Sequence, residues 1–263
     1  MKIVLLGASG MLGQALTAEG LQRGHEMVVD RVDVSSLVTL DRHIRKHSPD
    51  LIINAAAITD LGACEADRVG CYAVNTAPLW VCDHYKLVHI SSDQAANPLN
   101  VYARSKKAAE ELVGPKNLII RTNIVGPKNT AWMFEAIESD APVTLFNDYY
   151  TASIDIWSFS DILFGIIEQH PSSAGLLNIA SRDTVSKKAF VEALAKRMGK
   201  TLTRAVVGSV RDINPERPSQ NGLDVTEVEY ILNRQMPGLD DVIGALVERR
   251  NKQCSDPSRL MVV

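Results

Sequence analysis

The opening segment KIVLLGASGMLGQAL constrains this chain more than any other, because it runs an apolar, β-branched stretch through three glycines into an amphipathic pattern. Gly7, Gly10 and Gly13 stand between the two. Glycine is needed where a chain turns tightly, where backbone must approach a pyrophosphate, and where helix and strand pack closely. A phosphate bound there also meets the positive end of a helix. A glycine triplet alone suits any tight turn, but between a strand and a helix it predicts a dinucleotide site.

The rest of the first half repeats the same alternation. Short apolar runs at Lys2 to Leu6, Met27 to Asp30, Leu51 to Ala55, Leu87 to Ser91 and Leu118 to Arg121 read as strands. Met11 to Arg23, Leu37 to His47, Glu65 to Ala77 and Val101 to Val113 read as the helices between them. Strand–helix alternation of this kind predicts an α/β fold with a Rossmann-type, doubly wound parallel sheet, which binds ligands at the carboxyl ends of its strands. After Ile124 the pattern is less regular. It suggests strands at Val143 to Phe146 and Leu176 to Ala180, and helices near Ile162 to Gln169, Lys187 to Met198 and Leu239 to Arg249. The expected division is a dinucleotide-binding domain over 1–123, a smaller C-terminal substrate lobe over 124–250 partly interleaved with it, and a polar tail over 251–263.

Composition removes several classes of function. A formal net charge of -3 over 263 residues excludes a strongly basic nucleic-acid binder. No apolar run approaches the ~20 residues that span a bilayer. The apolar start breaks into glycine too early for a signal peptide, so a cytoplasmic protein with no membrane partner is expected. Cys64, Cys71, Cys82 and Cys254 form no CxxC pair or zinc spacing and are expected as reduced, mostly buried thiols, the first two on one face of one helix. His43 and His47 share a helix face but have no evident carboxylate to complete a metal site, and Arg42, Arg45 and Lys46 surround them. They read as part of a solvated basic face, and no metal is expected. Trp80, Trp132 and Trp157 follow no repeat and are assigned to packing.

The chemistry concentrates at strand ends. Asp30 closes the second apolar run, where a carboxylate can accept hydrogen bonds from an adenosine ribose. Such a carboxylate repels a 2'-phosphate, whereas Arg31, the next residue, can pair with one, so NAD and NADP both stay open. Asp33 and Val34 either border the adenine or form a polar turn before a helix. Small residues after Asn54, including Ala56 and Ala57, let the middle of a cofactor lie against the sheet edge.

Ser91, Ser92 and Asp93 end the fourth strand, and Tyr102 and Lys106 follow at helical spacing on one face. A phenol of pKa about 10 is a poor proton donor or acceptor near neutrality. An ammonium a few Å away stabilises phenolate by up to ~4 kcal/mol at an effective dielectric of about 20, so Lys106 is expected to depress the Tyr102 pKa. Ser92 would donate a hydrogen bond to the same carbonyl oxygen that Tyr102 protonates.

On GASGMLGQAL, PDLIINAAAIT, AVN, LVHISSD, PLNVYARSK, IIRT and RPSQNGLDVT, the chain resembles the extended short-chain dehydrogenase/reductase superfamily, and within it the dTDP-4-dehydrorhamnose reductase family of sugar-nucleotide-binding proteins. The resemblance implies a catalytic set of Ser92, Tyr102 and Lys106, with Lys106 also holding the nicotinamide ribose. It implies Gly10, Met11 and Leu12 at the pyrophosphate and Ala56, Ala57 and Ile58 along the cofactor. Ser92, Asp93 and Tyr102 would face the substrate, a dTDP-linked 4-keto deoxysugar reduced by NADH or NADPH. A homodimer is one assembly open to such a chain.

Some segments depart from that family. Only Gln94, Ala95, Ala96 and Asn97 lie between Asp93 and Pro98, where the family has a longer loop over its substrate. Asn123 and Ile124 stand where it typically has Trp, and Gly62 and Ala63 where Asp and Lys are usual. Two other functions stay open on this reading: a non-catalytic NAD(P)-binding regulatory subunit, and a reductase or epimerase of another activated sugar.

Overall fold

The strands of the first half are apolar at successive positions because the sheet is covered on both faces. In β1 (Lys2–Leu6), Ile3 and Leu5 enter one core while Val4 and Leu6 enter the other. That is the signature of a parallel sheet between two helical layers. The computed structural model describes residues 1–255. After β1 come α1 (Met11–Gln22), β2 (Glu26–Val28), α2 (Leu37–His47), β3 (Leu51–Asn54), α3 (Leu61–Ala66), α4 (Arg68–Asn75), α5 (Leu79–Cys82), β4 (Leu87–Ile90), α6 (Val101–Leu112) and β5 (Leu118–Arg121). The chain continues through β6 (Ile124–Val125), α7 (Pro127–Ser139), β7 (Val143–Phe146), β8 (Tyr150–Thr151), β9 (Ile154–Asp155), α8 (Ile156–Gln169) and β10 (Gly175–Asn178). It closes with β11 (Val185–Ser186), α9 (Lys187–Arg197), β12 (Ala205–Gly208), β13 (Gln220–Asn221), α10 (Thr226–Leu232) and α11 (Leu239–Ser255).

The main sheet has six parallel strands in the order β10-β5-β4-β3-β1-β2. Its winding reverses between β1 and β3, which opens a crevice at their carboxyl ends, as expected of a Rossmann-type fold. One face packs on α1 and α8 through Leu16, Phe159, Leu163 and Phe164. The other packs on α2, α5 and α6 through Leu40, Ile44, Leu79 and Ala109. A separate core joins α7, α9 and α11 through Phe134, Ile137, Phe190, Leu194, Val242 and Leu246, beside the short parallel pair of β7 and β12. The second half also returns α8 and β10 to the main sheet, so the two cores exchange chain.

Several sequence expectations need correction. The helix expected over Glu65 to Ala77 is two helices, because Asp67 leaves helical geometry and its carboxylate caps α4 by accepting from Gly70 N at 2.9 Å. Cys64 and Cys71 therefore lie on different helices, with their buried sulfurs facing across the break. Cys82 is buried as expected, and the Cys254 side chain lies outside the described residues. The helix expected from Ile162 starts at Ile156, where Asp155 accepts from Trp157 N and Ser158 N. β2 stops at Val28, which leaves Asp30 in the loop beyond it. The helix expected to end at Arg249 runs on to Ser255, so the start of the supposed polar tail is helical. Trp80 is 64% exposed and Trp132 41%, because Leu79 and Cys82 take the core face of α5 and Met133 and Phe134 that of α7. Trp157 does pack, under the Arg249 guanidinium at 4.9 Å. Among the described residues no helix is long and apolar enough to cross a membrane.

Candidate active site

The glycine turn forms the mouth of the crevice. Gly7 has a φ of +82°, a left-handed conformation that favours glycine, and its carbonyl accepts from Gly10 N at 3.0 Å. Gly13 is the contact point of helix and turn, since a Cβ there would lie 2.1 Å from the Gly7 carbonyl oxygen. Gly10 caps α1 without any side-chain acceptor, so the first N–H groups of the helix keep their hydrogen-bonding capacity for a ligand.

The turn opens on a cleft of about 570 Å³. Gly7, Gly10, Met11, Leu12, Gly13 and Ala57 line one side, and Ser92, Asp93, Tyr102, Lys106, Thr122 and Asn123 line the other. The hydroxyl of Thr122 is buried there with no hydrogen-bond partner among the described residues. A long groove with a glycine-lined helix end at one side and an unsatisfied hydroxyl in its wall fits a dinucleotide.

The remaining sequence candidates stand outside that lining. Ala56 is buried in the core behind the cleft, and Ile58, like Tyr102, packs against the cluster of Cys64, Cys71 and Val101. Asp33 forms the polar turn, accepting from Ser35 N at 3.0 Å, and Val34 is buried beside it. Arg31 is exposed. Asp30 is exposed too, with a carboxylate oxygen 3.2 Å from His47 Nε2. The assumption that no carboxylate approaches His43 and His47 is therefore wrong: ligand atoms of Asp30, His43 and His47 lie within 4.8 Å of one another. The loop after β2 folds back over the end of α2, an approach that helix spacing does not reveal.

On the opposite wall Ser92, Asp93 and Lys106 are buried and Tyr102 partly so. The four residues after Ser92 make a single 3-10 turn, and the Ser92 hydroxyl accepts from Gln94 N and donates to Asp93 at 2.9 Å. Asp93 also accepts from Gln94 N at 2.8 Å and Asn123 Nδ2 at 2.7 Å, yet burial outweighs these bonds and pushes its carboxyl up to about 6. Burial likewise pushes the Tyr102 phenol above its ordinary range, against a lowering by its hydrogen bond to Ser92, and the Asp93 charge adds to the rise. Lys106 does not depress it. Its Nζ donates to the Ile90 carbonyl at 2.6 Å and lies 3.3 Å from His89 Nε2, and burial pulls the amine down to about 8. Spacing put the two side chains on one face; the carbonyl of β4 then engaged the Lys106 nitrogen.

Sequence reading missed three groups in or near this site. His89 is fully buried inside an apolar strand, with nothing in the pattern to distinguish it from packing. Ser91 and Arg121 both bind Glu110, Arg121 through bonds of 2.8 and 2.7 Å, and this pairing locks α6 to β5. Beyond Asp93, Tyr149, Lys187 and Arg217 converge: burial pushes Tyr149 up to about 12 and pulls Lys187 down to about 8, the latter helped by the Arg217 charge. Arg217 Nε is buried without a partner. Its segment RPSQNGLDVT carried part of the family resemblance but no assigned role.

Compared with known proteins, the chain matches the family model described as RmlD substrate binding domain over residues 1–250. It is 26% identical over 293 residues to the probable low-salt glycan biosynthesis reductase Agl14 of Haloferax volcanii, covering 94% of this chain and 97% of that protein. It is 31% identical over 166 residues to a dTDP-4-dehydrorhamnose reductase of Mycobacterium tuberculosis, covering 52% of this chain and 54% of that one. Among solved structures, dTDP-4-dehydrorhamnose reductase from Bacillus anthracis in complex with NADP superposes with a TM-score of 0.85 at 18% identity, covering 94% of this chain and 99% of that chain.

Proposed function

Because the chain belongs to the RmlD substrate binding domain family, we propose that it is a cytoplasmic NAD(P)H-dependent reductase of a nucleotide-linked 4-keto deoxysugar, of the dTDP-4-dehydrorhamnose reductase type. The observation that carries this reading is the convergence of Ser92, Tyr102 and Lys106 on the same cleft as the glycine turn. Relatives named as reductases of such sugars support it.

Gly7, Gly10, Met11, Leu12 and Gly13 would hold the pyrophosphate, and Lys106 would hold the nicotinamide ribose. When bound, the nicotinamide supplies a hydride for the carbonyl carbon. Tyr102, kept protonated through the neutral range by burial, delivers the proton to the carbonyl oxygen, and the Ser92 hydroxyl orients that oxygen. Asp93 and Asn123 shape the floor beneath the sugar. Lys187 and Arg217 add positive charge on the substrate side, suited to a nucleotide diphosphate. In this reading residues 1–123 bind the dinucleotide and 124–250 supply the sugar side.

Steady-state assays with dTDP- and UDP-linked 4-keto sugars test the proposal, and NAD(P)H oxidation with at least one of them is the expected result. Tight NAD(P)H binding with no member of the panel reduced would instead favour a regulatory subunit. The short turn after Asp93 leaves little to clamp a sugar, so the expected KM is high even where turnover is competent. Cofactor choice is expected to rest on the exposed Arg31. Arg31→Ala weakens NADPH more than NADH if the guanidinium pairs with the 2'-phosphate, and equal losses in paired titrations would remove Arg31 from that role.

A further inference from the structure

A chain of buried polar groups runs behind the cleft wall to Lys106, and hydrogen-bond parity fixes its state. The chain starts at Asn54, at the end of β3. Its Oδ1 accepts from Ala56 N at 3.2 Å, which orients the amide and turns Nδ2 toward His89 Nδ1 at 3.3 Å. An amide nitrogen only donates, so Nδ1 must be the acceptor and carry no proton. Burial keeps His89 neutral, so its single proton sits on Nε2, the atom that faces Lys106 Nζ at 3.3 Å. An N–H aimed at Nζ needs a lone pair there. An amine has one; an ammonium has none.

A second, independent observation agrees. Lys106 is 2% exposed, and among the described residues no carboxylate binds its Nζ. The titratable groups that act on it are His89 from β4, Cys71 from α4 and Glu110 from its own helix, and Glu110 is already held by Arg121 and Ser91. A buried lysine with no carboxylate in contact gives up its charge at a lower pH than an exposed one, and the distant Glu110 offsets only part of that.

We propose that Asn54 and His89 are positioning residues that hold the Lys106 amine uncharged in the free protein on the alkaline side of neutrality, and that binding of a nicotinamide cofactor there recharges it by taking up one proton from solvent. The inference rests on the cofactor reading above. Ribose hydroxyls and pyrophosphate charge provide the acceptors and field that favour the ammonium. The incoming proton binds Nζ, His89 moves its own proton from Nε2 to Nδ1, and the Asn54 amide turns over to accept it. That turnover frees the Ala56 N–H beyond the end of β3.

Two measurements on the full chain test this. Long-range proton–nitrogen NMR of the unliganded natural protein reads the tautomer of its six histidines. His89, the one that is fully buried, is expected at about pH 9 with its proton on Nε2. Calorimetric titration with NADH and NADPH in buffers of different ionisation heat reads proton uptake. The expected uptake approaches about one per cofactor at about pH 9 and falls toward zero at about pH 6.5, with Kd rising up to ~10-fold per pH unit on the alkaline side. Asn54→Asp offers an acceptor in place of the donor, so the His89 proton moves to Nδ1, Nε2 faces an ammonium, and uptake at about pH 9 drops toward zero. At about pH 9, a His89 proton on Nδ1 in the natural protein, or cofactor binding with no buffer dependence, would overturn the proposal and leave the cofactor site standing. Absence of any binding by either cofactor would remove the cofactor site and the proposal together.

Discussion

Tyr102→Phe lowers turnover of a 4-keto sugar nucleotide by ~100-fold or more while leaving NAD(P)H affinity nearly unchanged, the loss typical of a positioned proton donor. Phenylalanine keeps the ring that packs on the cluster of Cys64, Cys71 and Val101, so the wall of the cleft is preserved and only the hydroxyl beside Ser92 is lost. The phenol is held above its ordinary pKa by burial, so it stays protonated through neutrality and acts as the acid in the reductive direction. A fall on the alkaline side in kcat/KM for the cofactor, which reports the free protein, therefore tracks Lys106, near 8, rather than the phenol. Initial rates and a cofactor fluorescence titration on the same preparation separate the two effects, and an unchanged kcat would take the proton away from Tyr102.

The glycine turn gives the second large effect, with two positions that fail in different ways. Gly10 has a φ of -73° that any residue adopts, and a Cβ there meets only the Gly7 carbonyl oxygen, at 3.3 Å. Gly10→Val should fold normally yet lose detectable cofactor binding, because the branched side chain stands where a pyrophosphate approaches the helix end. At Gly13 a Cβ would meet the Gly7 carbonyl oxygen at 2.1 Å and Ala8 Cα at 2.7 Å, and both are backbone. Gly13→Ala must push α1 away from β1, so it should lose binding and also about 3 kcal/mol or more of stability. Thermal unfolding beside the binding titration distinguishes the two, and full binding by Gly10→Val would move the pyrophosphate elsewhere.

The sequence alone was sufficient for features that a few neighbouring residues encode. Five strands of the main sheet, the turn at Gly7 to Gly13 and the helix carrying Tyr102 and Lys106 were legible because apolar runs, glycine spacing and i,i+4 placement are local signals. The sixth strand was legible as a strand, but its place beside β5 depended on the path of the second half. What tertiary structure decided was the state of the groups. Asn54 meets His89 because β3 and β4 pair in the register that sets those two residues opposite each other. Lys106 turns to the Ile90 carbonyl because α6 packs against that strand end, and Asp30 reaches His47 because a loop folds over α2. Residue type and spacing specify which donors and acceptors a chain owns. Which donor faces which acceptor, and hence where each proton resides, depends on contacts between segments far apart in sequence, and those exist only once the sheet has formed.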